Sequence, residues 1–289
     1  MKKLLAMAVT AAFTVSMLAG CGQSAETTDA SAQETETEAA DEETAGTADA
    51  ASEDTAERTT FTVGFDAEFP PYGYMDESGE YTGFDLELAQ EVCDRNGWEL
   101  VKQPIDWDSK DMELSSGAID CIWNGFTMNG REDAYTFSVP YVDNSQVFVV
   151  AADSGITAFA DLAGKSVGVQ KDSSALAALE GDAADLAATF GNLTQYSDYN
   201  TAFMDLEQGA IDALAIDVGV ADYQIASRGE GFVKLSENLA SEQYGIGFKL
   251  GNVELKDQVE KTLLEMADDG TFGKIAEKYG LSDSVCLGK

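Results

Sequence analysis

The hydrophobic and polar positions of this chain contain one pattern twice. Residues 112–120 and 204–212 are nearly the same nine-residue segment, in which a polar, helix-compatible stretch ends at a glycine turn and an apolar run follows. Chance similarity of two ordinary helix-to-strand turns is the alternative explanation. Because buried strands that alternate with helices form parallel α/β sheets, the repeat predicts two lobes that are built alike.

Further apolar runs predict the remaining strands of the two lobes. The strands of the first series are predicted at 61–65, near Leu100, at 121–123 and at 147–150. Those of the second series are predicted at 167–169, 213–216 and 232–235. Residues 244–250 are predicted to return to the first lobe, so that two chain crossings form a hinge.

The predicted fold class is therefore α/β, with two doubly wound α/β lobes joined by a two-strand hinge. Residues 59–148 and 247–289 are predicted to form the first lobe, and residues 149–246 the second lobe. Ligand sites of such sheets lie beyond the carboxyl ends of the strands. We therefore expect the functional residues at the strand ends of both lobes.

The N-terminal segment has the layout of a secretory signal. Two lysines precede an apolar stretch at 4–18, which is too short to span a bilayer permanently. Residues 18–21 resemble the bacterial lipobox, and this resemblance implies cleavage before Cys21 and attachment of lipid to its sulfur. Plain secretion with an incidental cysteine is the alternative. We predict a signal peptide at 1–20 and a mature protein held by lipid chains on the extracytoplasmic face of the cell membrane.

Composition distinguishes residues 21–58 from the rest of the chain. Between residues 22 and 57 there is no aromatic and no basic residue, and such a segment cannot bury enough apolar area to fold. We predict a disordered acidic tether over residues 21–58. The roughly 230 residues that follow suffice for two lobes, each with its own core.

Charge and residue content exclude several functions. The formal net charge is −36, so repulsion excludes nucleic acid and anionic lipid headgroups as partners. The absence of histidine removes the commonest general base and most zinc sites. We therefore predict no metal, no cofactor and no catalytic residue. Three cysteines remain after Cys21, so at most one disulfide can form, and a bridge between Cys93 and Cys286 stays open.

Two charged residues at the ends of the repeated strands form the candidate ligand site. Arg131 follows the first strand, and Asp217 ends the second. A guanidinium binds a carboxylate bidentately, whereas a carboxylate pairs with an ammonium group. A zwitterion held between the lobes would satisfy both charges and favour closure. The alternatives are a surface ion pair of Arg131 with Glu132 or Asp133, and a helix-capping role for Asp217.

Weaker candidates lie in neighbouring loops. A turn before an alanine-rich helix contains Ser173 and Ser174, which either meet an anion or cap the helix. Phe69, Tyr72 and Trp107 are placed in loops at predicted strand ends. There an aromatic face covers a ligand's aliphatic stem or a cation, unless the ring belongs to the core.

Eight segments of the folded part together form a specific signature. They are 63–66, 69–72, 83–89, 114–120, 127–131, 137–141, 161–169 and 270–275. With them the chain resembles, over about residues 61–281, the family 3 extracellular solute-binding proteins, the amino-acid receptors of bacterial ABC importers. The resemblance implies the type 2 periplasmic-binding-protein fold and a monomer that binds a free amino acid or a close analogue. Its partners would be the permease subunits of the importer.

The resemblance also implies a role for the residues at the strand ends. The ligand's α-carboxylate would meet Arg131, the Thr127 amide and the region of Ser174. The α-ammonium group would meet the Gly125 carbonyl, the Thr127 hydroxyl and Asp217. One departure from the family is that three residues, instead of the usual four, separate Thr127 from Arg131.

Three further positions match those that surround the ligand's side chain in the family. Phe69 and Trp107 match residues that flank the side chain, and Asp66 matches one that often touches its polar end. A second departure is Asp172, which stands where glycine is common in the family. An acidic side chain there would repel a carboxylate unless it points outward.

Two other functions remain open on the same scaffold. The fold resembles that of cyclohexadienyl dehydratases, and an enzyme of this kind without histidine would need a carboxylate as its general acid. A ligand sensor that acts on a partner receptor is the other alternative. The sequence does not identify the side chain of the ligand.

Overall fold

The computed structural model describes residues 58–288 of the chain. The predicted signal peptide, Cys21 and almost all of the predicted tether lie outside these residues. From residue 58 to residue 288, no helix is both long and apolar enough to cross a membrane. The same residues contain no group of three or more acidic or cysteine side chains placed to hold a metal ion.

The described residues form fourteen strands and eight α-helices. The first half contains β1 (Thr60–Phe65), β2 (Glu68–Phe69), β3 (Gly73–Met75), β4 (Tyr81–Thr82), α1 (Phe84–Asn96), β5 (Glu99–Pro104), α2 (Lys110–Ser116), β6 (Cys121–Ile122), β7 (Tyr135–Phe137), β8 (Val142–Ala151) and β9 (Ser166–Gln170). The second half contains α3 (Ser174–Glu180), α4 (Ala184–Ala187), β10 (Asn192–Tyr196), α5 (Tyr199–Glu207), β11 (Ala213–Asp217), α6 (Val218–Arg228), β12 (Phe232–Lys234), β13 (Ala240–Tyr244), β14 (Gly247–Lys249), α7 (Val253–Asp268) and α8 (Thr271–Lys278). Two 3-10 helices span Trp107–Ser109 and Phe159–Leu162.

The first lobe is built on a five-stranded sheet in the order β5-β1-β6-β14-β7. Strand β1 pairs in parallel with β5 and β6, and β14 pairs antiparallel with β6 and β7. Helices α1, α7 and α8 pack together beside this sheet. The contact between α1 and α8 is aromatic, since the ring centroid of Phe84 lies 5.7 Å from that of Phe272.

The second lobe is built on a six-stranded sheet in the order β10-β9-β11-β8-β12, with β13 also paired to β8. Strands β10, β9 and β11 are parallel, and β8 is antiparallel to β11. The two sheets alternate strands with helices in two separate lobes, which confirms the predicted fold class. The lobe boundaries given above stay predictions.

The apolar run at 147–150, which the sequence analysis assigned to the first series, lies instead in β8 of the second sheet, because β8 pairs with β11 and β12. The chain enters this sheet along β8 and leaves it along β13. These strands pair antiparallel from Val142 with Tyr244 to Gln146 with Ala240. The sequence predicted one returning strand at 244–250, but β13 ends at Tyr244 and β14 starts at Gly247. The break arises because β13 pairs within the second sheet whereas β14 pairs within the first.

The repeated segment has the predicted local structure in both lobes. Helix α2 ends before Gly117 and helix α5 ends shortly before Gly209, and these glycines have left-handed φ angles of 80° and 72°. A left-handed residue at this position ends a helix with little strain when it is glycine. Buried strands β6 and β11 follow, so the repeat does mark two equivalent helix-to-strand turns.

The described cysteines include two buried free thiols. Cys93 lies on α1, and Cys121 lies on β6. Because Cys93 is free, the disulfide with Cys286 that the sequence left open does not form.

Candidate ligand-binding site

Eight of the ten predicted ligand-binding residues surround one small cavity between the lobes. The residues that line it are Phe69, Trp107, Gly125, Thr127, Arg131, Gln170, Ser173, Ser174 and Asp217. Its volume is about 10 Å³, which is room for roughly one water molecule. An amino acid therefore cannot enter this cavity unless the lobes move apart.

The cation of this cavity is Arg131, on the loop after β6. Its guanidinium donates to the backbone carbonyls of Thr127, at 3.1 Å, and Asp172, at 3.3 Å, and lies 5.0 Å from the centroid of Phe126. Within residues 58–288 it forms no salt bridge, so the alternative ion pair with a neighbouring acid is not present. The guanidinium is therefore held in place by carbonyls, and its charge is not neutralised by a carboxylate of the described residues.

Thr127 also lines this cavity, and its backbone amide is not used in the local strand pairing. Thr127 forms an isolated antiparallel bridge with Tyr244, and the two hydrogen bonds of this bridge belong to the flanking residues. Gly245 donates to the Phe126 carbonyl, and Met128 donates to the Gln243 carbonyl, both at 3.0 Å. The pairing therefore does not use the Thr127 amide, which the family resemblance assigned to the ligand's carboxylate.

The anion of this cavity is Asp217, the last residue of β11. Its carboxylate is buried and accepts hydrogen bonds from Asn144 at 2.9 Å, Gln146 at 2.7 Å and the Tyr244 hydroxyl at 2.6 Å. It makes no capping hydrogen bond with helix α6, so the side chain does not serve the alternative capping role. Burial, and then repulsion by Glu242, raise the pKa of Asp217 to about 7.

A second carboxylate, Glu242 on β13, lies beside Asp217. One oxygen of Glu242 accepts hydrogen bonds from side chains of both lobes and of strand β8. The donors are the Thr127 hydroxyl at 2.9 Å, Asn144 at 2.7 Å, Gln146 at 2.8 Å and the Ser174 hydroxyl at 3.2 Å. The residues that line the small cavity therefore carry or contact two buried carboxyls, those of Asp217 and Glu242, as well as the Arg131 guanidinium. The sequence analysis missed Glu242 because it did not predict strand β13.

The hydroxyls of the two serines in the turn before α3 have different hydrogen-bond partners. The Ser173 hydroxyl accepts a hydrogen bond from the Leu176 amide at 3.1 Å and donates to the Gln170 carbonyl at 2.8 Å. This is the N-cap role that the sequence left as the alternative. The Ser174 hydroxyl instead joins the network of Glu242.

Asp66 and Tyr72 do not line the small cavity. Tyr72 lies behind it, where its ring packs against Tyr244 at 5.3 Å and its hydroxyl lies against Gly219. Asp66 lines a neighbouring pocket of about 400 Å³, which shares Trp107 with the small cavity. Phe69 and Trp107 are not in loops, since Phe69 ends β2 and Trp107 starts a 3-10 helix.

Gln170, another residue that the sequence analysis missed, connects the small cavity with the neighbouring pocket, because it lines the cavity and contacts Asp66. It ends strand β9, and its side-chain amide donates to Asp66 at 2.7 Å and to the Ser197 carbonyl at 3.1 Å. Burial raises the pKa of Asp66 to about 6. The position of Gln170 directly after the apolar run of a parallel strand is the signal that could have identified it as a site residue.

Gly125 is expected to tolerate no side chain. Its φ is 58°, and an added Cβ would lie 2.9 Å from the Tyr244 ring and 3.0 Å from the Phe69 ring. Gly125→Ala should therefore cost roughly 2–4 kcal/mol of unfolding free energy. The matched control is Gly130→Ala, since Gly130 has a φ of 78° but open space around it, and it should cost about 1 kcal/mol. Equal costs in urea titrations of both variants would contradict this packing argument.

Three buried carboxyls predict that the protein is more stable at pH 5 than at pH 8. Burial raises the pKa of Asp66 to about 6 and those of Asp85 and Asp217 to about 7. Between pH 4 and 7 the folded chain therefore binds more protons than the unfolded chain, and the unfolding free energy falls as pH rises. Thermal melts should show this fall. Repulsion among the many acids of the chain also lowers the unfolding free energy as pH rises. Asp85→Asn is therefore the control, and its unfolding free energy should fall less steeply with pH. A slope equal to that of the wild type would contradict the assignment.

The geometry is that of a two-lobed protein whose interlobe cavity is lined by both a cation, Arg131, and an anion, Asp217. Residues 61–282 match the bacterial extracellular solute-binding proteins, family 3. The chain therefore belongs to this family, as the resemblance in its sequence indicated.

Individual relatives agree with this family assignment. The L-cystine-binding protein TcyJ of Escherichia coli is 30% identical over 226 residues, which cover 77% of this chain and 83% of that protein. A solved ABC uptake transporter substrate-binding protein from Streptococcus pneumoniae, with bound histidine, is 34% identical with a TM-score of 0.75, and the match covers 78% of this chain and 94% of that one. A solved ancestral amino-acid-binding protein, described as a precursor of cyclohexadienyl dehydratase, is 28% identical with a TM-score of 0.70, and covers 76% of this chain and 95% of that one.

Proposed function

We propose that the chain is an extracytoplasmic receptor that binds a free amino acid, or a close analogue, between its lobes and delivers it to the permease of an ABC importer. The observation that carries the proposal is that the cavity is lined by both a cation and an anion. Arg131 and Asp217 both line it, Arg131 forms no salt bridge within the described residues, and the buried carboxylate of Glu242 lies beside that of Asp217. A zwitterion with its two charged groups on one carbon is the ligand that satisfies both charges.

Each part of the site has a separate task in this proposal. The ligand's carboxylate pairs with the Arg131 guanidinium and accepts from the Thr127 amide. The ammonium group donates to Asp217 and to the Gly125 carbonyl, while Glu242 adds a second negative charge nearby. Because these groups belong to both lobes, the ligand makes all of its contacts only when the lobes are closed, and it therefore stabilises the closed arrangement.

The side-chain end of the ligand is proposed to lie between Phe69 and Trp107, directed toward Asp66 and Gln170. These two polar side chains are buried and hydrogen-bonded to each other. A ligand that ends in a hydrogen-bond donor adds a bond to the Asp66 carboxyl, whereas an apolar end removes water from that carboxyl without adding a bond. Amino acids with polar or cationic side chains are therefore expected to bind more tightly than purely aliphatic ones.

Thermal-shift screening of the common amino acids, followed by titration calorimetry of each hit, tests the proposed function. At least one free amino acid should raise the melting temperature and bind with one-to-one stoichiometry. The corresponding desamino acid and amino-acid amide serve as controls, since each lacks one of the two charges. Absence of binding by every amino acid would contradict the proposal.

Lipid attachment at Cys21 and delivery to a permease complete the proposed role. Metabolic labelling with a fatty-acid analogue should mark the wild-type chain, and Cys21→Ser should abolish the label and release the protein from the membrane fraction. A label that persists in Cys21→Ser would contradict the anchor. Uptake of the identified amino acid should also fall when the gene is removed, and unchanged uptake would contradict delivery to an importer.

An enzyme on the same scaffold is the second candidate. It is favoured by one observation, namely that burial raises the pKa of Asp217 to about 7, which suits a general acid at neutral pH. Incubation with prephenate, and assay of the product, separates the two candidates. Turnover that is lost in Asp217→Asn would establish the enzyme, and absence of product would exclude the dehydratase reaction.

A further inference from the structure

Two ion pairs connect the lobes beside the ligand cavity. Lys110, at the start of α2 in the first lobe, forms a salt bridge with Asp172, in the turn between β9 and α3 of the second lobe. Lys171 and Asp108 form the other pair at 3.9 Å, and both of these side chains are about half exposed. The two pairs differ in the burial of the lysine, since Lys110 is 2% and Lys171 46% exposed, whereas Asp172 and Asp108 are both about half exposed.

Lys110 is buried although it is a lysine. Its side chain is 2% exposed, and its ammonium group lies 5.0 Å from the centroid of Trp107 and 3.4 Å from the Trp107 carbonyl. Burial lowers the pKa of Lys110, and the hydrogen bond from Lys110 to Asp172 opposes this shift. A buried ammonium group is unfavourable unless a counter-charge faces it. The counter-charge of Lys110 comes from the other lobe, so it is in place only when the lobes are closed.

Asp172 contacts the first lobe through two groups. Its carboxylate pairs with Lys110, and its carbonyl accepts from the Arg131 guanidinium at 3.3 Å. Among residues 58–288 it is the only non-glycine residue with a positive φ, at 53°, a conformation that aspartate and asparagine tolerate better than most residues. This arrangement also accounts for an acid where the family commonly has glycine, because Lys110 neutralises a charge that would otherwise repel the ligand's carboxylate.

We propose that the ion pair of Lys110 and Asp172 is a positioning element of the ligand site, which stabilises the closed lobes and keeps the charge of Asp172 from the ligand's carboxylate. Its effect on affinity rests on the proposed function. Its effect on the lobes does not, because closure can be measured without any ligand. Removal of the carboxylate alone leaves a buried ammonium group without a counter-charge and favours opening, whereas removal of both charges relieves that cost.

The test is a double-mutant cycle with Asp172→Asn and Lys110→Met. Asparagine keeps the left-handed turn and removes only the charge, so Asp172→Asn should weaken the Kd of the best amino-acid ligand roughly tenfold or more. The double variant should return to within about threefold of the wild-type Kd, since contacting residues are not additive. A merely structural role would lower the melting temperature of each variant without this recovery in Kd.

Lys171→Met is the matched control. It breaks the exposed interlobe pair at the same edge of the cavity, and it should change the Kd by less than about twofold. Small-angle scattering of the full chain without added amino acid gives the second measurement. Asp172→Asn should have a larger radius of gyration than the wild type, and Lys110→Met in the same chain should reverse the increase.

Two results would overturn the proposal. One is a Kd and a radius of gyration of Asp172→Asn equal to those of the wild type. The other is that the losses of Asp172→Asn and Lys110→Met simply add. If the wild-type chain binds no amino acid, the proposed receptor function fails, while the radius of gyration still decides whether the ion pair stabilises closure.

Discussion

Arg131→Ala should weaken the binding of every amino acid that the wild-type chain binds by at least about thirtyfold in Kd. Arg131 lines the cavity, and its guanidinium is held by two backbone carbonyls and has no carboxylate partner among the described residues. Its loss leaves the ligand's carboxylate desolvated and unpaired, at a cost of roughly 2–5 kcal/mol, which corresponds to about 30- to several-thousandfold in Kd. Titration calorimetry against the set of hits measures this loss.

Arg131→Lys and Arg58→Ala are the controls for this result. Lysine keeps the charge but lacks the planar fork, so an intermediate loss of affinity is expected. Arg58 forms a partly exposed salt bridge with Asp120 away from the cavity, and its replacement should leave the Kd unchanged. Wild-type affinity in a folded Arg131→Ala protein would show that the carboxylate is bound elsewhere.

Asp217→Asn should weaken amino acids far more than analogues that lack the amine. The substitution keeps the shape of the side chain and its acceptor oxygen for Tyr244, but it removes the negative charge that pairs with the ammonium group. We expect a loss of about 2 kcal/mol or more, roughly thirtyfold in Kd, for amino acids. The corresponding 2-hydroxy acids, which have no such charge, should lose little. Calorimetry with each pair of ligands measures the difference.

The same residue should set the pH dependence of binding. Because the pKa of Asp217 is raised to about 7, this carboxyl is largely protonated below pH 7. It must then lose its proton before it can pair with the ammonium group. Wild-type affinity should therefore fall as the pH falls from 8 to 5.5, and Asp217→Asn should remove most of this dependence. Asp222→Asn is the matched control, since Asp222 is an exposed acid on α6. Equal losses for amino and hydroxy acids, or an unchanged pH profile in Asp217→Asn, would contradict the assignment.

The sequence predicted the two lobes and their charged strand ends because those features are local. The turns at Gly117 and Gly209 are encoded by the helix-to-strand pattern within nine residues. Since the carboxyl ends of parallel strands meet at one edge of a sheet, Arg131 and Asp217 followed from that topology. The family resemblance then added residues such as Gly125, whose left-handed φ no periodicity reveals.

Residues that depend on the closed arrangement were not predicted. Asn144 and Gln146 extend the inward alternation of β8 beyond its apolar run, and polar residues at these positions gave no signal of a strand. Glu242 lies on β13, a strand that lacks an apolar alternation over most of its length. Lys110 and Asp172 lie 62 positions apart in the sequence and in different lobes, so only the packing of the lobes brings them together.

A crystal structure with the tightest-binding amino acid tests the central claim most directly. The account predicts the ligand's carboxylate within hydrogen-bonding distance of the Arg131 guanidinium and its ammonium group within hydrogen-bonding distance of Asp217, with the lobes closed around both. A ligand bound outside this cavity, or one whose two charged groups contact neither residue, would contradict it.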